Sequence, residues 1–317
     1  MIRAGFIGAG GRSQSAHYPA IERINNIEMT AVCELDEQRL NQVTNRYNFL
    51  HVYRDHQAML AEVDLDVVYC IMHEKWLLQP ALDCLRAGKH IFIEKPPGAN
   101  SKQTHELLEA AIENQVYAMV GYQRRYTDVV REAMNRVHSR GPVSHAVATF
   151  NKKMLLDSPE YTTTLWNDVT HMVDLLRFLV GSEAVEVTRY RDKFGSVDWN
   201  HYTALVRFAS DATGVIFGNR ASGGRVLRAE LHGVGIGCYM KLPEELDLWE
   251  DDQQTIIQGW DINSNNPDDI SSYEGILEMH RHFLDCVQKK QVPLTDLRDV
   301  IKSIQLVDWI ENGQPSD

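Results

Sequence analysis

Short apolar runs alternate with longer amphipathic segments from Ile2 to about Val120. The runs, such as EMTAVCEL, DVVYCIM and HIFIEK, are β-rich and almost wholly apolar at their centres. Helical patterns such as DEQRLNQVTNRY separate them. Strands that are hydrophobic along their length are typical of a parallel sheet that helices cover on both faces. The pattern therefore predicts an α/β domain with a doubly wound parallel sheet over residues 1–122.

The pattern changes after Gly141. Runs such as SHAVATFNKK, HYTALVRFAS and ATGVIFGNR are bounded by Gly, Asn or Asp, which is typical of antiparallel strands. The helices predicted in this part cover about 168–179, 272–289 and 296–312. We therefore predict an α+β domain over residues 123–295 with a large, mostly antiparallel open sheet. The last helix, with Thr295 or Asp296 as its N-cap, is expected to pack back on the first domain.

Composition and charge exclude several classes of protein. The chain has 317 residues and a formal net charge of −12, which disfavours nucleic-acid binding because that function needs concentrated Lys and Arg. Its five cysteines form no C-x-x-C pair and indicate buried, reduced thiols. No apolar stretch approaches the roughly 20 residues of a membrane span, and the N-terminus enters a strand rather than a signal peptide. We therefore expect a cytoplasmic protein without nucleic-acid or membrane partners.

A glycine turn follows the first apolar strand. Gly8 and Gly10 stand between that strand and a segment that can become helical. Glycines there let the backbone turn tightly and leave a pyrophosphate against the helix N-terminus, whose free N–H groups attract anions. The third position of the G-x-G-x-x-G pattern is Ser13, and an ordinary glycine turn is the alternative. Because the turn opens a βαβ pattern, with an acid at the end of the next strand, we favour a Rossmann dinucleotide-binding domain.

That acid is Glu34, which stands near the spacing expected for a residue that binds the adenosine ribose. Its carboxylate can accept both ribose hydroxyls but would repel a 2′-phosphate in the same place. Leu35 follows, where an NADP enzyme often presents an arginine. The sequence therefore predicts NAD as the cofactor and makes NADP less favoured. The alternative is that Glu34 is only a surface residue at a strand end.

Lys95 lies in EKPPG, at the C-terminal end of a buried strand. Doubly wound sheets place their ligand crevice at the carboxyl ends of the strands. A lysine there can act as a general acid or base once burial lowers its pKa toward neutrality. Taken alone, a surface lysine that caps a strand would be the better interpretation.

Four segments resemble the Gfo/Idh/MocA oxidoreductase family in their order and separation. They are GFIGAGG, AGKHIFIEKP, VGYQRRY and THMVDLLRFLVG, and MHRHFLDCVQKKQVP resembles the family's closing helix. The later segments look closest to the MviM-like branch. The resemblance implies an NAD-dependent dehydrogenase that transfers a hydride between nicotinamide and an alcohol or keto carbon of a sugar, cyclitol or related polyol. A non-catalytic NAD-binding regulator on the same fold is the alternative.

The resemblance also implies roles for particular residues. Lys95 matches the lysine that contacts the reacting oxygen and the nicotinamide ribose. His171 matches the histidine of D-x-G-x-H-x-x-D, with Asp174 as the trailing acid. Lys95, His171 and Asp168 are the expected catalytic residues. The residues expected to bind the cofactor are Gly8, Gly10, Gly11, Arg12, Ser13, Glu34, Leu35, Met72, His73, Glu94, Lys95 and Gln123, and those expected to bind the substrate are Lys95, Arg125, Lys153, Asn167, Asp168 and His171.

The sequence departs from the family in two places. In WNDVTH the family acid four residues before His171 is Asn167, while Asp168 stands one position nearer. If the chain there is irregular, Asp168 can point into the pocket, which we favour because it retains an acid. Alternatively Asp168 caps the helix and Asn167 takes the acid position, where an amide can orient a hydroxyl but cannot take its proton. Second, MHEKWL over residues 72–77 replaces the T-P-x-x-x-H loop that normally covers the cofactor.

Other polar residues receive plainer interpretations. No metal site is predicted, because His73 and Glu74 do not make H-E-x-x-H and His280 and His282 face different sides of a helix. Lys153 could reach a substrate or could equally be a solvated strand end. The open face of the second sheet could pack on a partner subunit, so we expect a homodimer or homotetramer through that sheet.

Overall fold

The computed structural model describes residues 1–314, apart from the side chain of Ile270. Its contacts divide the chain into two compact units. The first unit contains residues 1–122 and 276–301, and the second contains residues 123–275 and those from 302 onward. All five cysteines are buried and free, as the sequence predicts.

The strands follow one another along the chain as β1 (Ile2–Ile7), β2 (Ile27–Cys33), β3 (His51–Tyr53), β4 (Val67–Cys70), β5 (His90–Ile93), β6 (Ala118–Val120), β7 (Val143–Lys153), β8 (Ala184–Asp192), β9 (His201–Phe208), β10 (Thr213–Asn219), β11 (Ala221–Gly233), β12 (Ile236–Lys241), β13 (Glu245–Glu250) and β14 (Gln253–Gln258). The helices are α1 (Tyr18–Ile21), α2 (Glu37–Arg46), α3 (His56–Glu62), α4 (Glu74–Arg86), α5 (Ser101–Glu113), α6 (Asp128–Arg140), α7 (Thr170–Val180), α8 (Gly259–Ile262), α9 (Ile270–Tyr273), α10 (Ile276–Lys289) and α11 (Leu297–Asn312).

A six-stranded sheet in the order β3-β2-β1-β4-β5-β6 forms the centre of the first unit. Every neighbouring pair is parallel. Buried aromatic rings fill its middle, and Phe6 stacks on Tyr69 with 5.0 Å between ring centroids. The strand order reverses between β1 and β4, so their carboxyl ends form the crevice where such sheets bind ligands. The predicted doubly wound parallel sheet is confirmed.

Short polar side chains start the helices that leave these carboxyl ends. Asp36, Asp55 and Asn100 accept hydrogen bonds from backbone N–H groups in the first turns of α2, α3 and α5. Such caps satisfy donors that have no partner inside the helix. They fix where each connection ends and the helix begins, directly beside the crevice.

The segment that links α10 to α11 pairs with the edge strand β6. The carboxylate of Asp296 accepts from the backbone N of Ala118 at 3.0 Å, and Thr295 O accepts from Val120 N at 2.8 Å. α10 packs on α1 and on the turn before it. The contacts therefore group residues 276–301 with the first unit, and α11 begins in the first unit and ends in the second. The domain boundary at residue 295 stays a prediction.

The second unit is built on an eight-stranded sheet in the order β14-β13-β12-β11-β7-β10-β9-β8. All neighbouring pairs are antiparallel except β7 with β10, so the predicted mostly antiparallel sheet is confirmed. α7 lies close against this sheet. A Cβ added to Gly218 on β10 would stand 2.6 Å from Cγ2 of Val169, which precedes α7. Glycine at this position lets the start of α7, which carries His171, approach the sheet.

The other face of this sheet carries exposed apolar side chains. Leu205, Phe217 and Tyr239 are 52%, 42% and 44% exposed on β9, β10 and β12. Across residues 1–314, no helix combines the length and the hydrophobicity that crossing a bilayer requires.

Candidate active site

The glycine turn follows β1 directly. Gly8 has a φ of +99°, and a Cβ there would lie 2.3 Å from the carbonyl oxygen of Ile71. Only glycine fits this position, because both the backbone angle and the close approach exclude a side chain. Around Gly10 and Gly11, by contrast, an added Cβ would meet no heavy atom of the described chain within 4 Å. The turn is therefore tight at its base and open at the two glycines that face the helix N-terminus, as a phosphate cradle requires.

Ser13 replaces the third glycine of the pattern and closes the turn. Its side chain is fully buried, and Oγ donates to Gly8 O at 2.8 Å. The hydroxyl of Tyr18 donates to the same carbonyl at 2.8 Å. The chain between them, Ser13–His17, forms a π-helical turn that runs straight into α1. Ser13 thus stabilises the base of the turn from inside.

Glu34 joins the end of β2 to the glycine turn. One carboxylate oxygen, Oε2, accepts from the backbone N of Ala9 at 2.7 Å, and Oε1 accepts from the backbone N of Asp36 at 3.0 Å. Each oxygen keeps a further lone pair, so the group can still accept from two ribose hydroxyls. Leu35 beside it is 73% exposed. These residues fit an adenosine ribose without a 2′-phosphate.

The segment after β4 forms the first turn of α4. His73 is its N-cap, and Nδ1 accepts from the backbone N of Lys75 at 3.2 Å. Met72 is half-buried, while Trp76 is 65% exposed with the Lys75 ammonium 4.8 Å from its ring centroid. The MHEKWL segment therefore offers an apolar and aromatic edge in place of the family loop, and cofactor contacts from Met72 and His73 stay predictions.

The carboxyl end of β5 carries Glu94 and the half-buried Lys95. Glu94 is 8% exposed, and its carboxylate accepts from His17 Nε2 at 2.6 Å and from the backbone N of Lys95 at 3.1 Å. Arg12 Nε lies 3.5 Å from Glu94 Oε1. Burial alone raises the pKa of this carboxyl, but the hydrogen bond and charge of His17 and the cations of Arg12 and Lys95 lower it overall, well below its usual value. The glycine turn and the predicted catalytic lysine are therefore joined through one carboxylate.

In the second unit, the predicted Gln123 and Arg125 lie in a 3₁₀ turn over Gln123–Tyr126. Gln123 is 4% and Arg125 2% exposed. Arg125 Nε donates to Asp174 Oδ2 at 2.8 Å, and its guanidinium lies 5.0 Å from the ring centroid of Phe178. Ser303 Oγ also donates to Asp174, at 2.8 Å. Arg125 and Asp174 thus form a buried ion pair in this unit, and contacts of Gln123 or Arg125 with a ligand stay predictions.

His171 is half-buried in the first turn of α7, and a π-helical turn over Leu165–Val169 precedes it. The segment is regular, and the N-cap of α7 is Val169, which makes no side-chain cap bond. Asp168 therefore does not cap α7, and a position of its carboxylate in the substrate pocket stays a prediction. Its Oδ2 accepts from Arg220 Nε at 2.7 Å and from Lys152 Nζ at 3.3 Å. Asn167 is half-buried beside it and Lys153 is exposed.

Three residues of these sites carry no recognisable signal in the sequence. Arg220, 1% exposed at the end of β10, holds both Asp168 and Glu160. His17 and His280 pair with each other although 263 residues separate them. Sheet order and helix packing create these contacts, so no local motif could have indicated them. Among residues 1–314, no group of three or more His, Cys, Asp or Glu side chains is arranged to hold a metal ion.

Comparison with known families agrees with this geometry. The family model described as the Gfo/Idh/MocA oxidoreductase family, NAD-binding Rossmann fold, matches residues 2–122, the segment that holds the glycine turn, Glu34 and Lys95. Over residues 2–122 the chain has the NAD-binding Rossmann domain of the Gfo/Idh/MocA oxidoreductases. The NAD assignment of the sequence analysis is confirmed.

Named relatives match parts of the chain. YrbE of Bacillus subtilis, called an uncharacterized oxidoreductase, is 26% identical over 59% of this chain and 56% of its own length. Myo-inositol 2-dehydrogenase of Thermotoga maritima is 26% identical over 69% of this chain and 69% of its own length. The chain therefore spans just over half of the first relative and about two thirds of the second.

Solved structures match almost the whole chain in fold. The dehydrogenase MviM from Clostridium difficile superposes with a TM-score of 0.85 at 19% identity, over 99% of both chains. Levoglucosan dehydrogenase in complex with NADH and levoglucosan superposes with a TM-score of 0.86 at 17% identity, over 98% of this chain and 96% of its own. At these identities the likeness concerns the fold.

Proposed function

We propose that the protein is an NAD-dependent dehydrogenase that transfers a hydride between nicotinamide and a CH–OH or keto carbon of a sugar, cyclitol or related polyol. The observation that carries the proposal is the link from the glycine turn through Glu94 to Lys95. It puts a proton-handling side chain at the carboxyl end of β5, in the domain that binds the dinucleotide. The relative named myo-inositol 2-dehydrogenase and the fold relative solved with levoglucosan support the substrate class.

Residues of the first unit would hold the cofactor. The open positions at Gly10 and Gly11 suit its pyrophosphate, and Glu34 suits the adenosine ribose. When bound, NAD supplies the hydride acceptor. We further propose that NAD binds more tightly than NADP, because a 2′-phosphate beside the Glu34 carboxylate would be repelled.

Proton transfer falls to Lys95 in this proposal. Oxidation of an alcohol releases the hydroxyl proton, and the Lys95 amine would take it at Nζ. His171 is the second group that can exchange a proton. Asp168 would act as a hydrogen-bond acceptor for a substrate hydroxyl, since the cations of Arg220 and Lys152 stabilise its carboxylate.

The charges around Asp168 favour a neutral substrate. Two carboxylates, Asp168 and Glu160, are matched by two cations, Arg220 and Lys152, so the group carries no net charge. Carboxylate oxygens, guanidinium and ammonium groups together offer both donors and acceptors for hydroxyls. A sugar or cyclitol fits this balance better than a sugar acid, which would need an excess of cations.

A screen of NAD reduction against sugars, cyclitols and sugar acids, with NADH oxidation by the keto forms, tests the proposal. We expect turnover with a neutral polyol. Lys95→Ala should lower kcat on that substrate by about 10²-fold or more while NAD affinity is kept, the usual scale for a lost acid–base group. Lys89→Ala, six positions before it and directly before β5, is the matched control. Wild-type rates in purified Lys95→Ala would contradict the role of Lys95.

The second candidate is a non-catalytic NAD-binding regulator. The replaced loop after β4 and the displaced acid at Asp168 favour it. Tight NAD binding with no turnover on any neutral polyol or its keto form would support this alternative. Assembly into a homodimer or homotetramer through the exposed sheet face of Leu205, Phe217 and Tyr239 is also a proposal, which sedimentation velocity tests. Localisation in the cytoplasm stays a prediction.

A further inference from the structure

Three ionisable side chains form a buried line beneath the glycine turn. His17 Nε2 lies 2.6 Å from Glu94 Oε1, and His17 Nδ1 lies 2.9 Å from His280 Nε2. Both histidines are fully buried and Glu94 is 8% exposed. The three residues come from the turn after Gly10, the end of β5 and α10, so three separate elements converge on this line.

The chemistry of the Glu94 carboxylate fixes one proton of this line. A carboxylate can only accept, so His17 Nε2 carries a proton and donates it to Glu94. His17 Nδ1 and His280 Nε2 share the second hydrogen bond, whose direction depends on the tautomers of the two rings. His280 Nδ1 is buried and has no hydrogen-bond partner among residues 1–314. Burial and the nearby charge of His17 lower the pKa of His280 well below its usual value, so His280 stays neutral.

This arrangement keeps a negative charge at Glu94. Burial works against a carboxylate, so the anion persists only with donors and cations around it. His17 supplies the donor, and Arg12 and Lys95 supply the charges. The second carboxylate oxygen accepts from the backbone N of Lys95 at 3.1 Å. The charge is therefore held immediately beside Lys95.

An apolar core would have been the simpler solution here. Aromatic rings surround His280, with centroids at 4.9 Å for Phe92, 5.4 Å for Tyr69 and 5.1 Å for His17. Tyr69 is a further ionisable side chain against His280, and burial raises the pKa of its hydroxyl far above the physiological range. Buried polar networks cost folding free energy unless every group in them is well paired. A network in this place therefore indicates a further purpose.

We propose that His17 and His280 are positioning residues for the candidate catalytic lysine, and that they act by holding Glu94 as a carboxylate beside Lys95 and Arg12. The inference rests on the proposed function, in which Lys95 handles the substrate proton. A neighbouring carboxylate stabilises the ammonium form of a lysine. The line therefore sets the pH at which Lys95 changes its charge, and it couples that pH to the glycine turn through Arg12.

Titration of Lys95 by NMR tests the proposal without any substrate. The protein is labelled with ¹⁵N at the lysine side chains, and the Nζ signal of Lys95 is assigned by its loss in Lys95→Arg. His17→Phe removes the donor to Glu94, and His280→Phe removes only the support of His17. We expect the titration midpoint of Lys95 to fall by about 1 pH unit in His17→Phe and by a smaller amount in His280→Phe, the scale for loss of a nearby opposite charge.

Two further variants separate positioning from simple packing. His17→Gln keeps an amide donor that can reach Glu94 and should restore most of the wild-type midpoint. His90→Gln, at the opposite end of β5, is the matched control and should leave the midpoint unchanged. If His17→Phe fails to fold, the Lys95 midpoints of His280→Phe and His17→Gln are compared with that of the wild type. Thermal unfolding is recorded for each variant.

The outcomes distinguish this inference from the proposed function. Equal Lys95 midpoints in wild type and in the folded His17 or His280 variants would overturn the inference, whatever the enzyme does. An NAD reduction screen without turnover would overturn the proposed function. The Lys95 titration midpoints would still decide the positioning inference. If both the inference and the proposed function are correct, the pH profile of kcat/KM should move to lower pH in His17→Phe by the same amount as the Lys95 midpoint.

Discussion

Replacing Asp174 by Asn should destabilise the second unit strongly. Asp174 is 1% and Arg125 2% exposed, and the two form a direct ion pair. The change keeps the shape of the side chain but removes its charge, which leaves the Arg125 guanidinium buried without a counter-charge. Breaking a buried pair from one side costs about 3–5 kcal/mol. Ser303 and Phe178 cannot replace the charge, because a hydroxyl and a ring offer only partial compensation.

Thermal unfolding followed by circular dichroism measures the effect. For a unit of this size each kcal/mol corresponds to roughly 2–4 °C, so the transition should fall by roughly 6–20 °C. Asp251→Asn is the matched control, since its ion pair with Arg140 lies at the surface, with Asp251 69% exposed. We expect a much smaller shift of the transition there, because solvent screens an exposed ion pair. A loss in Asp174→Asn no larger than in the control would refute the reasoning.

The remaining predictions concern the cofactor, pH and Asp168. Glu34→Ala should lower NAD affinity about tenfold or more, because the acceptor for the ribose hydroxyls is lost. It should also reduce the ratio of NAD affinity to NADP affinity, because the repulsion of a 2′-phosphate is lost as well. Calorimetric titration with both cofactors measures the two effects. The lowered pKa of His280 means that the unfolded chain binds a proton that the folded chain excludes, so stability is full above about pH 6.5 and declines as the pH falls below it. His280→Phe should flatten that decline in urea unfolding series, and an unchanged slope would contradict the assignment. Asp168→Asn should lose far more turnover than Asn167→Ala on one substrate, and equal losses would count against a role for the Asp168 carboxylate.

The sheets and the dinucleotide turn were predictable because their causes are local. Apolar strands, a glycine with a required positive φ and an acid at the end of β2 each carry the information in a few neighbouring residues. Element ends were less predictable. The helix expected over 272–289 is divided into α9 and α10 at Gly275, whose φ is +94° and whose added Cβ would lie 2.5 Å from Gln123 O.

The unit in which a helix packs was not predictable from its pattern. α10 is amphipathic, and amphipathicity shows that one face is buried but does not name the partner. The structure buries that face in the first unit through His280 and Phe283. The ion-pair partners of Asp168 could not be predicted for the same reason. Arg220 is 52 positions away along the chain, and the pairing of β10 with β7 in the sheet brings it to this end of the sheet.

This contrast between local and distant causes has a functional consequence. All the residues expected to hold NAD except Gln123 lie within 2–122, the stretch that the family model matches, and most are set by short segments of backbone. The candidate substrate residues of the second unit depend on pairings across the sheet, with Glu160 and Asp168 both held by Arg220. One substitution at Arg220 would change the charge and position of both acids while leaving the glycine turn untouched. Under the proposed function, we therefore expect a substitution at Arg220 to change substrate preference while NAD affinity stays close to that of the wild type.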